Sequence, residues 1–184
     1  LHIDLWQDGV NLLGDAGSFS YALDDEVKYF SGTESHNTVQ FDGRDQMPRI
    51  NRFLFGEWLE PERMSPQGDI YALREYGAGY TDYKSAKHYR RVSLNCQKMM
   101  VTDEVSGFKS EAVLRWRLFQ GEWNVIGNSV TNGIHKLSVE SNVEILRFSL
   151  VDGWKSDYYV KKEKIQVLEV EIAEPGVLKT QYIF

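Results

Sequence analysis

The sequence contains one cysteine, four prolines and no apolar run near the 18 or so residues that cross a bilayer as a helix. The lone Cys96 excludes an internal disulfide framework and a cysteine-based zinc finger. Cations are in the minority. Lys and Arg number 21 against 27 Asp and Glu, a net charge of −6, which argues against a dedicated nucleic-acid binder. An acidic ligand is still compatible with that balance, through a local basic stripe. Helical periodicity is missing too: no window of about 11 residues keeps apolar positions at i, i+3, i+4 and i+7. There is no Gly-x-Ser-x-Gly elbow and no Gly-x-Gly-x-x-Gly loop, so neither the usual hydrolase nucleophile nor a phosphate cradle is present. The first residues, LHIDLWQDGV, carry no initiator Met and no charged-then-apolar leader, and LKTQYIF stops inside a strand-like run. These ends suggest a piece of a longer protein.

What the sequence does have is enough apolar material for a core. Of 184 residues, 42% are hydrophobic and 13% aromatic, which excludes general disorder and fits a single domain over residues 1–184. Period-two alternation recurs throughout, in 2–6, 38–41, 53–59, 70–74, 88–94, 99–102 and 113–118. It continues in 136–143, 144–151, 158–162, 165–172 and 178–184. Between the runs stand turn pairs: Asp8-Gly9, Asp42-Gly43, Ser106-Gly107, Gln120-Gly121, Asn132-Gly133, Asp152-Gly153 and Pro175-Gly176. The pattern predicts an all-β fold, a multi-stranded antiparallel β-sandwich of layered sheets. Residues 44–52 and 61–68 are polar and read as surface loops.

Four groups of residues could carry chemistry. In Ser35-His36-Asn37-Thr38, a histidine at the mouth of a strand could transfer a proton, or simply cap the strand. In Lys87-His88-Tyr89-Arg90-Arg91, strand parity puts His88 and Arg90 on one face and Lys87, Tyr89 and Arg91 on the other. Arginine beside tyrosine suits an acidic sugar, while a solvated sheet face with ion pairs is the plainer alternative. Gly14-Asp15-Ala16-Gly17 reads as a structural turn. His36 and His88 with Asp42 or Asp45 could form a two-histidine, one-carboxylate metal site, whereas His2 and His135 read as ordinary surface or core residues. Cys96 reads as a buried or turn thiol.

In order, the blocks Gly14 to Tyr21, Tyr29 to Thr33, Ser35-His36-Asn37-Thr38-Val39, Asp42 to Gln46, His88-Tyr89-Arg90-Arg91-Val92 and Asp103-Glu104-Val105-Ser106-Gly107 resemble the β-sheet domain of the heparinase II/III-like polysaccharide lyases. The resemblance covers most of residues 1 to 120. It implies a sandwich that follows an α/α toroid, the toroid lying outside this chain, and β-elimination of uronic-acid-containing polysaccharides. It implies His36 as the catalytic residue contributed by the sandwich, and Asn37, His88, Arg90 and Arg91 as substrate contacts. A metal, zinc or calcium, would be held by His88 with Asp45. The implied partners are an acidic polysaccharide and the toroid, without nucleic acid or a membrane span, in the periplasm or outside the cell. The alternative is a non-catalytic carbohydrate-binding or structural sandwich, for which Trp58, Trp123 and Trp154 would form an exposed row.

Overall fold

The computed structural model describes residues 1–62 and 75–184. The run at 70–74, and all but the first two residues of the polar stretch 61–68, lie outside the described residues.

Asp8 and Gly9 both adopt positive φ, 48° and 81°, as a tight type I′ turn requires, and they join β1 (Leu5–Gln7) to β2 (Val10–Leu13). These two strands form a small sheet of their own. A four-stranded sheet runs in the order β12-β13-β8-β3: Arg147–Tyr158, Lys161–Ile172, Ala112–Arg117 and Val39–Phe41. An eight-stranded sheet starts with β4 (Glu60–Glu62), β5 (Glu75–Thr81), β6 (Lys87–Leu94) and β7 (Lys98–Ser106). It continues with β14 (Gly176–Ile183), β11 (Lys136–Ser141), β10 (Ser129–Thr131) and β9 (Asn124–Val125). Among the described residues, every pairing between these strands is antiparallel.

The alternation in the sequence translates directly into one wet and one dry face. In β7, Met99, Val101, Asp103 and Val105 are buried and their neighbours are partly exposed. β14 turns Leu178, Thr180 and Tyr182 inward in the same way, and β11 turns Leu137 and Val139. β8 is buried at all six positions, between β13 and β3 in its own sheet and with Trp116 facing the other. Two contacts tie the layers together. The Trp116 indole N–H donates to the Thr180 hydroxyl at 3.1 Å, and the Arg90 guanidinium lies 5.1 Å from the Trp116 ring centre.

Three local expectations are corrected. The sequence pattern predicts no helix, yet Asp24–Ser31 forms α1. Eight residues are too few to show a helical period, but three acids in the first turn favour the positive end of the helix dipole, and Val27 and Phe30 supply a short buried stripe. The alternation at 53–59 is not a strand: the Asn51 side chain accepts from the N–H groups of Phe53 and Leu54, both at 3.0 Å, and a local turn replaces the ladder. Asp152-Gly153 is not a turn either. It pairs with Gln166 and Ile165 in mid-strand. Gly153 is there for close packing, since a Cβ would sit 2.6 Å from Val167. The chain reverses instead at Tyr159-Val160, where the Val160 N–H is tied to the Phe19 carbonyl at 2.7 Å.

Candidate functional site

The β1–β2 hairpin brings its two flanks together, and with them His2 and Asp15. Leu5 pairs with Leu13, so counting outward sets His2 beside the residues just after Gly14. A tight turn at Thr33–Ser35 then delivers His36 to the same place. His36 Nδ1 lies 2.6 Å from an Asp15 carboxylate oxygen, and His2 Nε2 lies 3.7 Å from the same oxygen. The two imidazoles meet edge to face with centroids 5.3 Å apart. One ligand atom from each of His2, Asp15 and His36 falls within 4.8 Å of the other two. All three side chains keep about a third of their surface open to solvent.

Burial alone would raise the Asp15 carboxyl. The bond to His36 and the Gly17 N–H, at 2.7 Å, outweigh it and hold the group below the ordinary carboxylate value. Burial dominates at His2 and lowers its imidazole below the usual value, so the ring is neutral near pH 7. Its Nδ1 accepts from the Asn37 N–H at 2.9 Å, which leaves the proton on Nε2, 3.0 Å from Asp4.

Two imidazoles and a carboxylate are a donor set for zinc. Calcium, which selects oxygen, fits it poorly. Zinc held through His2 Nε2 would require that ring's proton to sit on Nδ1, in place of the bond from Asn37. Protons compete with the metal for the imidazoles and the carboxylate, so metal affinity is expected to fall with acidity. Beside the cluster opens a cleft of about 720 Å³, with Trp6, Asp15, Arg117, Lys155, Tyr158 and Glu163 among its lining residues.

The structure changes the expected site considerably. The metal pair His88 and Asp45 is not brought together with a third ligand among the described residues. His88 is fully buried, and Asp45 accepts from the Thr33 N–H at 2.7 Å. The face of β6 that carries His88 and Arg90 is the buried one and points into the sandwich. There Asp103 accepts from His88 Nε2 at 2.7 Å and from Arg90 Nε at 2.6 Å and Nη2 at 3.1 Å. Burial would raise the Asp103 carboxyl, but Arg90 and His88 outweigh it and bring it down to about 2. Burial lowers His88 to about 4, against the pull of Asp103. His88 and Arg90 are thus framework rather than substrate contacts, and so is Asn37, which is wholly buried.

Arg91 alone of that group reaches solvent, paired with Glu104 at 2.6 Å. An exposed pair of this kind contributes little to the fold. Arg91→Ala is expected to shift stability by less than about 0.5 kcal/mol in urea denaturation, and a loss above about 2 kcal/mol would overturn that reading. The tryptophans that the alternative reading would use are not all exposed: Trp58 is exposed, Trp123 is buried in the core and Trp154 is half-buried. Cys96 is an exposed thiol in the turn between β6 and β7, so it is not buried.

Sequence reasoning missed His2 and Asp15 as partners of His36. The usable signal was the Asp8-Gly9 turn, from which strand register can be counted outward to both.

Fold and cluster together define a two-layer antiparallel sandwich domain with a candidate metal centre at its N-terminal hairpin. The chain belongs to the heparinase II/III-like, C-terminal family, whose model matches residues 1–176. Among solved structures it is similar to a heparinase III, the BT4657 gene product with methylated lysines, at 21% identity and a TM-score of 0.77. That match covers 98% of this chain and 29% of the other. The heparan sulfate lyase HepC from Pedobacter heparinus is 19% identical with a TM-score of 0.67, over 99% of this chain and 30% of that one. A further heparinase III is 18% identical with a TM-score of 0.70, over 98% and 28%. This chain thus spans less than a third of the length of these structures. No curated protein matches it.

Proposed function

We propose that residues 1–184 are the sandwich part of a polysaccharide lyase that cleaves uronic-acid-containing chains by β-elimination, completed by an α/α toroid outside this sequence. The family match over residues 1–176 carries the reading. The relatives named as heparinases and a heparan sulfate lyase suggest a sulfated, acidic polysaccharide as substrate, and a periplasmic or secreted setting.

Elimination needs a base for the proton at C5, neutralisation of the uronate carboxylate, and an acid for the leaving oxygen. In this reading the cleft beside the cluster receives part of the chain. Trp6 and Tyr158 offer faces on which a sugar ring can stack, and Lys155 offers a cation to its acidic groups. His2, Asp15 and His36 would hold zinc, which supplies positive charge and fixes the hairpin against the strand that follows His36. Arg91 is retained as an outer contact for the polyanion. The second reading keeps His36 as a proton-transfer group, favoured by its partly open ring and the short bond to Asp15, which orients the imidazole.

The test is the full-length protein, this sandwich together with its toroid, incubated with heparan sulfate and other uronic-acid polysaccharides, followed by the ultraviolet absorbance of the unsaturated uronate product. The expected result is product from at least one acidic polysaccharide. Its absence from all of them would overturn the lyase reading.

A further inference from the structure

We infer that Asn37 is the positioning residue of the His2–Asp15–His36 cluster: one buried carboxamide that fixes all three candidate ligands through their nearest neighbours in the chain. The inference rests on the metal reading above and deepens it.

The geometry is economical. Asn37 directly follows His36. Its Nδ2 donates to the carbonyl of Ile3, the residue after His2, at 2.9 Å, and to the carbonyl of Gly14, the residue before Asp15, at 3.2 Å. Its Oδ1 accepts from the Arg117 N–H of β8 at 2.6 Å. Its carbonyl accepts from Arg90 Nη1 at 2.6 Å. Both side-chain donors are used, the side-chain acceptor is used, and the residue has no exposed surface.

No other side-chain type of this size reproduces the set. An Asp would turn carboxylate lone pairs toward two carbonyl oxygens, and a Leu would orphan the Arg117 N–H and both carbonyls. The anchoring is rigid, because β8 is fully buried and Arg90 is clamped by Asp103. A general packing role would not require the bonds to fall next to each of the three ligands. Residues that orient ligands in this manner typically change metal affinity by about 10- to 100-fold when removed.

The experiment measures zinc affinity on the full chain by competition with a chromophoric chelator, with folding checked by circular dichroism. Asn37→Ala and Asn37→Asp are expected to raise the zinc Kd by about 10- to 100-fold. Thr180→Val, which removes a buried hydrogen bond between the sheets away from the cluster, controls for lost stability and is expected to stay within about twofold. A folded Asn37 variant with the parent's Kd would overturn the inference. If neither variant folds, hydrogen exchange of the Asn37 side-chain amide in the parent decides. Linkage requires that zinc saturation slow it, and an unchanged rate would overturn the inference. A parent that binds no zinc would remove the metal reading along with this one, while leaving product formation from polysaccharide as a separate result.

Discussion

Asp103→Asn is expected to cost the fold about 3–5 kcal/mol, the usual loss when one partner of a buried ion pair is removed and the other stays behind uncompensated. Arg90 is the stranded partner. Its guanidinium is 3% exposed, makes two bonds to Asp103, and also holds the Asn37 carbonyl. At about 2–4 °C per kcal/mol for a domain of this size, the melting temperature should fall by about 6–20 °C. Denaturant titration of parent and variant checks it, and a loss under about 1 kcal/mol would show that Asp103 is dispensable.

The same network predicts an acid response. Burial keeps His88 neutral down to about pH 4, whereas an unfolded histidine protonates near 6.5. The unfolded chain therefore binds the extra proton first, and stability should decline as pH falls from about 6.5 to 4. Asp103, ionised down to about pH 2, adds stability above an unfolded value near 4 and loses it between about pH 4 and 2.

His36→Ala in the full-length protein, sandwich with toroid, is expected to lower kcat by about 100-fold or more, the common size for a lost acid–base or charge-neutralising group. Its ring contacts Asp15 at 2.6 Å and His2 edge to face, and it stands beside the cleft that Asp15 lines. Zinc content separates the two roles. As a ligand, His36 takes the metal with it, and Asp15→Asn reproduces both losses. As a proton carrier, it leaves the zinc in place while turnover falls. Unchanged turnover on a substrate that the parent cleaves would remove His36 from the mechanism.

Much of the sandwich was readable in advance because burial on one face writes itself into alternate positions. β6, β7, β11 and β14 all fall within or close to alternating runs. The failures have physical causes. α1 is shorter than the window that reveals a helical period, and Gly153 serves packing where a glycine was read as a turn. The site was half legible. His36 stood out, but His2 and Asp15 join it through hairpin register, a long-range relation that residue types do not carry. His88 and Arg90 were misread for a related reason: parity says which residues share a face, not which face meets the other sheet.

The position of β14 bears on how the protein is made. The eight-stranded sheet has β14 near its middle, between β7 and β11, so residues 176–183 complete a layer whose other strands come earlier in the chain. A nascent chain cannot close that layer until Ile183 has left the ribosome. Until then β7 and β11 each present an open edge with inward-facing Met99, Val101, Leu137 and Val139 uncovered. The layer therefore stays open until its last strand is made, during which holdase chaperones have their chance, and truncations within β14 should aggregate instead of yielding a shortened soluble domain.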